Sequence, residues 1–300
     1  MSFCTFVHAI ALLMSGWALP CGCREDTSGP LKPTFEVINF EGGHSARVHG
    51  REGDPAHFKK FGRSQRMEDM HSLLQYFWGV RGGVVVESGA LDGLRYSNTV
   101  VYSKLLQWKA ILIEASPDQF KKLVVNRPEA ISVNAALCSE TQKVHWLNTH
   151  PPATRGIYEF MGNDTGPKTK TVKRLKRKYE DHFKRFGDFN ETILDKELRS
   201  VSCIEFNSLM NALQISKVDL WFLDVEGGEM EVLRGWNHSL IKVDVLVIEK
   251  VWLNKSRDPD EIINFMTSIR YTCIDDDSID MHNYWCSSPS FKPRVYPHHI

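Results

Sequence analysis

The chain has 300 residues, 42% hydrophobic and 25% charged, which excludes collagen, a coiled coil and wholesale disorder and describes one globular domain with appendages. Its 37 Lys and Arg balance 37 Asp and Glu, so the chain as a whole has no electrostatic preference for nucleic acid or membrane, and any charged partner must meet a local patch. A chain this long buries a sizeable core unaided, so its 7 cysteines are not needed to staple a miniature fold.

From Met1 to Cys23 there is no Lys, Arg, Asp or Glu, and Phe3 to Leu19 is mostly apolar. The run is short for a spanning helix, is interrupted by Thr5, His8, Ser15 and Gly16, and ends in Gly16-Trp17-Ala18, which offers small residues at cleavage-determining positions. Residues 1–22 are therefore expected to be a cleaved signal peptide, with a retained anchor as the alternative, and membrane contact is expected only if the segment is retained. Four Asn-x-Ser/Thr sequons, at Asn163, Asn190, Asn237 and Asn254, fit luminal entry and a secreted or Golgi-lumen location. With cleavage after Ala18, six cysteines remain, Cys21, Cys23, Cys138, Cys203, Cys273 and Cys286. Cys273 and Cys286 suit a C-terminal bridge, whereas Cys138 and Cys203 read as buried small apolar residues in strands.

Residues 23–60 read as an irregular lead-in, 61–287 as the domain and 288–300 as a tail. Met67 to Phe77 has helical spacing, after which strands and helices alternate. Val84 to Glu87, Ala110 to Glu114 and Ile131 to Leu137 read as strands, separated by helices at Tyr96 to Trp108 and Pro117 to Asn126. Lys143 to Leu147 reads as a further strand. Residues 150–200 form a polar insertion, with nine basic residues between Lys168 and Arg185 against Glu180 and Asp181; it is expected to be a solvated surface segment, or else a patch for an anionic partner. Order resumes with helices at Phe206 to Leu213, Glu229 to Trp236 and Pro259 to Arg270, and strands at Val218 to Asp224, Val243 to Glu249 and Tyr271 to Ile274. The pattern predicts an α/β fold, Rossmann-like, with a mostly parallel central sheet covered by helices on both faces.

In such sheets ligands sit at the carboxyl ends of the strands. The first strand leads into Glu87-Ser88-Gly89-Ala90-Leu91-Asp92-Gly93, where glycines let the backbone approach a ligand. The second ends in Glu114-Ala115, twenty-one residues after Gly93, the spacing at which an acid accepts hydrogen bonds from ribose hydroxyls. Asn134-Ala135-Ala136 follows the third, with Asn134 placed for an adenine edge, and Asp224-Val225-Glu226-Gly227-Gly228-Glu229 follows Val218 to Leu223. A dinucleotide pyrophosphate would be repelled by Glu87 and Asp92, and the full G-x-G-x-x-G is missing. S-adenosylmethionine carries a sulfonium and an ammonium, which carboxylates favour. An NAD-dependent oxidoreductase is accordingly the weakest of the candidate functions.

The stretches Gly83 to Gly93, Ser97-Asn98-Thr99, Trp108 to Pro117, Asn134 to Leu137 and Val218 to Glu229 resemble the FkbM-type methyltransferase domain, particularly its eukaryotic secretory branch, over roughly 64–150 and 199–275. The resemblance implies a class I methyltransferase fold, S-adenosylmethionine as donor and methylation of a hydroxyl, on a glycan or similar small acceptor. Its cofactor residues map to Glu87, Gly89, Ala90, Asp92, Gly93, Ser97, Asn98, Glu114, Ala115, Asn134, Ala135 and Asp224. Two features depart from it: Ser64-Gln65-Arg66-Met67-Glu68-Asp69 keeps only the ends of the family's segment before the first strand, and the branch includes Star-like trafficking proteins, which makes a non-catalytic binding protein the alternative function.

Methyl transfer is an in-line displacement that needs alignment of acceptor, methyl and sulfur and a base for the hydroxyl proton. Asp224 and Glu226 are the first candidates for that base, ahead of Glu249 and His145. Clustered carboxylates also suit a divalent cation, a reading not favoured here, and no metal ligands are assigned. Trp146, Trp221, Trp236 and Trp252 are candidates for stacking on a sugar, although aromatic residues near strands are usually core.

Overall fold

The computed structural model describes residues 36–38, 54–147, 156–160, 198–250, 260–275, 280 and 282–297, all within the unit Pro33–Ile300. The leader, the sequons at Asn163, Asn190 and Asn254, the basic run 168–185 and Trp252 lie outside the described residues. Among those described, no helix is long and apolar enough to cross a membrane.

Strands β1 (Glu36–Ile38), β2 (Val84–Ser88), β3 (Lys109–Ile113), β4 (Ile131–Asn134), β9 (Lys217–Leu223), β10 (Lys242–Glu249), β11 (Thr272–Ile274) and β12 (Asn283–Ser287) make one eight-stranded sheet, in the order β1-β4-β3-β2-β9-β10-β12-β11. The five strands from β4 to β10 are mutually parallel; β1 and β12 pair antiparallel with their neighbours. Parallel strands buried on both faces need apolar residues at successive positions, which is why Val84 to Val86, Ala110 to Ile113 and Leu220 to Leu223 read as continuous runs.

The two faces divide these runs. Val85, Leu112 and Phe222 pack with Leu73 of α2 (Glu68–Gln75), Tyr102 of α3 (Val100–Leu105) and Leu123 of α4 (Pro117–Asn126). Val86, Ile111, Ile113 and Trp221 pack with Leu209 of α5 (Phe206–Ala212), Leu233 of α6 (Glu229–Arg234) and Met266 of α7 (Glu261–Ser268). The expected Rossmann-like α/β fold is thus formed. From β2 the chain winds outward through β3 and β4, whereas β9 and β10 continue on the other side, so β2 and β9 flank the topological switch point.

A second sheet of four short strands within residues 136–204 stands beside these strand ends. The run Ile131 to Leu137, read as one strand, divides after Asn134: β4 pairs with β3, while β5 (Ala136–Leu137) pairs with β8 (Leu198–Ile204). β6 (Gln142–Leu147) pairs with β8 and with β7 (Gly156–Ile157). Both β7 and the start of β8 fall in the stretch read as a solvated insertion; their apolar residues are too few to signal strands, and it is the register with β6 that organises them. β12 was likewise not foreseen, and its pairing with β10 explains the buried Tyr284 and Trp285. Beyond it, Arg294 and Tyr296 hydrogen-bond the backbone of Tyr76, Trp78 and Leu74 and tie the end of the chain to α2.

Two disulfides are present. Cys273–Cys286 joins β11 to β12, as the sequence suggests. Cys138 and Cys203 are not separate buried thiols but a bridge from the residue that follows β5 to the adjacent strand β8, closing a separation of 65 residues. A loop of that length loses roughly 4 kcal/mol of unfolded-state entropy in the chain-entropy model.

Candidate functional site

The site is built where β2 and β9 end. Gly89 has φ +88, and the nitrogens of Gly89 and Ala90 both donate to the Ile113 carbonyl, turning the chain sharply out of β2. A Cβ at Gly89 would lie 1.8 Å from the Asp224 carbonyl oxygen, so only glycine allows the two strand ends to approach this closely. The Asp224 nitrogen donates to the Ser88 carbonyl and the Trp221 indole N–H donates to Ser88 Oγ at 2.9 Å. Trp221 is itself fully buried and stacked on Phe206, 3.8 Å between ring centroids, so it and Trp236 belong to the core and not to a sugar platform.

Behind the turn lies a polar lock. Glu87 is buried; its carboxylate accepts from Ser97 Oγ (2.8 Å), Thr99 Oγ1 (2.7 Å) and the Asn98 nitrogen (2.6 Å). Burial raises its pKa against the opposing pull of these donors and of Arg127. Arg127, wholly buried after α4, donates to the Gly93 carbonyl, Ser97 Oγ, Thr99 Oγ1, Ser103 Oγ and Glu129. Asp92 Oδ1 accepts from the nitrogens of Leu94 and Arg95 and shapes the rest of the loop. Glu87, Gly93 and Ser97 thus order the backbone, and Arg127, a lone basic residue that belongs to no motif, holds them together.

Two cavities adjoin here. The smaller, about 100 Å³, is lined by Leu91, Glu114, Ala115, Ala135, Ala136, Leu137, Trp146, Ile157, Phe160 and the Asp224-Val225-Glu226 loop. The larger, about 440 Å³, is lined by Gln65, Glu87, Asp92, Arg95, Tyr96, Asn98, Gln119, Lys122, Phe222 and Glu249. Ser88, Gly89, Leu91, Trp146, Asp224 and Glu226 line both. Glu114, only 2% exposed, accepts from the Leu91 nitrogen on one oxygen (2.8 Å) and from the Ser116 nitrogen on the other (2.7 Å), which fixes the direction of its carboxylate at the cavity wall. Asn134 gives its side-chain N–H to the Glu114 carbonyl and lines neither cavity. His145 is likewise apart, paired with Glu159 at 2.5 Å. Phe160 and Ile157, from the stretch expected to be solvated, form part of the smaller cavity's wall. Among the described residues, Asn98 Oδ1 and the Trp146 indole N–H are buried without hydrogen-bond partners.

Asp224, Glu226 and Glu249 stand together in the wall of the larger cavity. Asp224 presents surface to the cavity, yet the protein around it, then Glu229, Glu87 and Glu68, push its pKa up to about 6, while a hydrogen bond from Glu249 opposes the rise. Burial, then the Asp224 and Glu226 charges, push the Glu249 carboxyl up further. Glu226 adopts φ +57 and lines both cavities. Among the described residues no three His, Cys, Asp or Glu side chains converge to hold a metal ion.

Glu229, missed in the sequence although it closes the Asp-Val-Glu-Gly-Gly-Glu run, accepts from the nitrogens of Val225 (3.1 Å) and Gly227 (3.2 Å) and fixes the loop that carries Asp224. Burial raises its pKa from 4.5 to about 7. A carboxyl whose folded pKa is raised binds more protons folded than unfolded, so its contribution to stability is full below pH 4.5 and is lost as pH rises through 7, about 3 kcal/mol in all. Glu229→Gln keeps an acceptor oxygen without the charge. Denaturant melts of the variant are expected to lack this decline between pH 4.5 and 7, and an identical decline in both proteins would contradict the assignment.

The acid-rich turn, the acid at the end of β3 and the strand order point to one family, and a sequence model of the methyltransferase FkbM domain matches residues 87–273. The chain belongs to the FkbM methyltransferase family. Its sheet is the class I methyltransferase arrangement. Among solved structures it is similar to a methyltransferase FkbM from Methylobacillus flagellatus KT, at 13% identity and a TM-score of 0.42, over 78% of this chain and 50% of that one. It is also similar to a chain of a fibrillarin/Nop5p complex, at 13% identity and a TM-score of 0.32, over 83% of this chain and 88% of that one. The chain spans about half the length of the Methylobacillus chain. A search of curated protein sequences finds no significant match.

Proposed function

We propose that the protein is an S-adenosylmethionine-dependent O-methyltransferase acting on a hydroxyl of a glycan or a similar acceptor in the secretory pathway. The observation that carries this reading is the pair of adjoining cavities at the switch point, one mostly apolar with Glu114 at its wall, the other rich in carboxylates. The first suits a nucleoside, its hydroxyls meeting Glu114; the second suits the cationic end, with the unpartnered Asn98 Oδ1 available to an ammonium. When bound, S-adenosylmethionine supplies a methyl group on a sulfonium. The chain supplies alignment and a base: Asp224, open to the cavity and poised at about 6, is ionised at neutral pH and takes the hydroxyl proton, with Glu249 beside it at the end of the next strand. Glu226 stands at the junction of the two cavities.

The secretory placement rests on the apolar leader, on the two disulfides, which favour an oxidising compartment, and on Asn237, exposed and with its Oδ1 accepting the Ser239 nitrogen, open to glycosylation. The test is transfer of a labelled methyl group from S-adenosylmethionine to a panel of glycan hydroxyls. Wild type is expected to transfer label, and Asp224→Asn to be slower by about 10²–10⁴-fold. Label appearing only on amines or thiols, or undiminished in Asp224→Asn, contradicts the proposal.

A further inference from the structure

We propose that the acceptor is an anionic sugar: Arg95 and Lys122 meet its acidic group, a carboxylate or a sulfate, Tyr96 carries its ring, and its hydroxyl turns to Asp224. The inference rests on the glycan methyltransferase reading above and adds to it the charge class and the orientation of the acceptor.

The larger cavity carries opposite charges on opposite sides of the switch point. Strand order places β2 and β9 at the centre, with β3 beyond β2 and β10 beyond β9. The ends of β9 and β10 bring Asp224 and Glu249 into the wall. On the other side α4, the helix that follows β3, brings Gln119 and Lys122, three residues apart and so on one face, and the loop after β2 brings Arg95 and Tyr96. Glu87 and Asp92 also line the cavity, but the loop itself engages them: Glu87 accepts from Ser97, Asn98 and Thr99, and Asp92 from the Leu94 and Arg95 nitrogens.

Arg95 and Tyr96 are exposed, yet the backbone that carries them is pinned. Tyr96 sits at φ +60, uncommon for a residue with a side chain, and its strand-like bridge to Ser64 joins it to a second loop. Asp69 fixes that loop in turn, accepting from Ser64 Oγ (2.6 Å) and the Arg63 nitrogen (3.0 Å). The Arg95 guanidinium lies 4.8 Å from the Tyr96 ring centroid and gives one N–H to the Tyr96 hydroxyl at 3.3 Å. Its fork has five donors in all, so most remain to meet an oxyanion, and the geometry suits carboxylate and sulfate alike. Tyr96 is 43% exposed and offers an apolar ring with a polar tip, against which the C–H face of a sugar packs.

This arrangement orients the acceptor. With its acidic group beside Arg95 and Lys122, a sugar turns its hydroxyls toward Asp224. The reversed pose sets the acid against the Asp224 carboxylate, and like charges brought together in this way are strongly disfavoured. A neutral sugar keeps the Tyr96 contact but loses both the ion pairs and the discrimination between poses. Exposed ion pairs contribute up to about fivefold each in affinity, so the two cations together give a preference of about tenfold.

The test is calorimetric titration of the protein, loaded with S-adenosylhomocysteine, with tetrasaccharides of alternating uronate and hexosamine, in gluco and galacto series. Each is used in four forms: carboxylated and sulfated, carboxyl-reduced, desulfated, and fully neutral. Wild type is expected to bind at least one anionic form about tenfold more tightly than its neutral parent at ~0.1 M salt, and to lose most of that preference at ~1 M, where the screening length falls to about 3 Å. Whichever of carboxyl reduction and desulfation removes the preference identifies the acid. Lys122→Gln is expected to cut the preference by up to about fivefold, Lys122→Arg to restore it, and Arg95→Gln with Lys122→Gln to abolish it. Tyr96→Ala is expected to weaken charged and neutral forms alike, and binding equal to wild type overturns the platform. These side chains are exposed, so the variants are expected to fold, which thermal melts check. A preference that survives in the double variant places the anion elsewhere and overturns the proposal. Equal binding of charged and neutral forms, or no binding of any form by a chain that binds S-adenosylhomocysteine, overturns the acceptor inference alone. A folded chain that binds neither S-adenosylmethionine nor S-adenosylhomocysteine overturns the reading beneath it.

Discussion

Arg127→Ala is expected to lower folding stability by about 3–5 kcal/mol, the range for removing one partner of a buried charge pair. The side chain is wholly buried, and its guanidinium reaches five groups: Glu129, the Gly93 carbonyl and the hydroxyls of Ser97, Thr99 and Ser103. Removing it leaves Glu87 buried without its nearest cation, and Glu87 is what orders Ser97 to Thr99. At roughly 2–4 °C per kcal/mol for a domain of this size, the melting temperature falls by about 6–20 °C. Arg127→Lys is expected to recover little, because a single ammonium cannot reproduce a planar fork that donates in several fixed directions. Thermal melts of the three proteins check this; an Ala variant melting within about 2 °C of wild type would falsify the lock, by the same conversion.

Gly89→Ala is the second large effect. The substitution forces an L side chain into φ +88, at about 1–2 kcal/mol, and sets its Cβ 1.8 Å from a backbone oxygen of Asp224, where a further 1–3 kcal/mol is typical of overpacking, roughly, and backbone cannot swing aside like a flexible side chain. The ends of β2 and β9 must part, and they hold Ser88 and Asp224 in both cavities. Gly227→Ala is the control. It has φ +109 but nothing nearer than the Phe160 carbonyl oxygen at 4.0 Å, so it bears only the backbone strain. Gly89→Ala is expected to lose more stability than Gly227→Ala and to bind S-adenosylmethionine at least tenfold more weakly than wild type. Equal behaviour of the two variants would refute close approach as the reason for Gly89.

Most of the parallel sheet was legible because strands buried on both faces must be apolar at every position; Val84 to Val86 and Ala110 to Ile113 allow little else. The second sheet was not, because β7 has two residues and β8 mixes Arg199, Ser200 and Ser202 with its apolar positions, and their pairing depends on residues distant in the chain. The division of Ile131 to Leu137 between sheets has little local signal either, since Ala135, where the run divides, is small and apolar like Ala136 after it. At the site, Glu87, Glu114 and Asp224 could be noticed because they terminate apolar runs. Arg127 could not: one basic residue after a helix looks like a surface residue until Gly93, Ser97, Thr99 and Ser103 are seen to surround it. Trp146 was noticed for its ring, whereas its position at the junction of both cavities comes from the register of β6.

The central claim, that the switch-point cavities form an S-adenosylmethionine site, is tested most directly by calorimetric titration of the folded protein with S-adenosylmethionine and S-adenosylhomocysteine, repeated on Glu114→Ala. One-site binding by wild type, weakened at least tenfold in a folded Glu114→Ala, is the predicted result. A folded wild type that gives neither heat nor a thermal shift with either compound would contradict it.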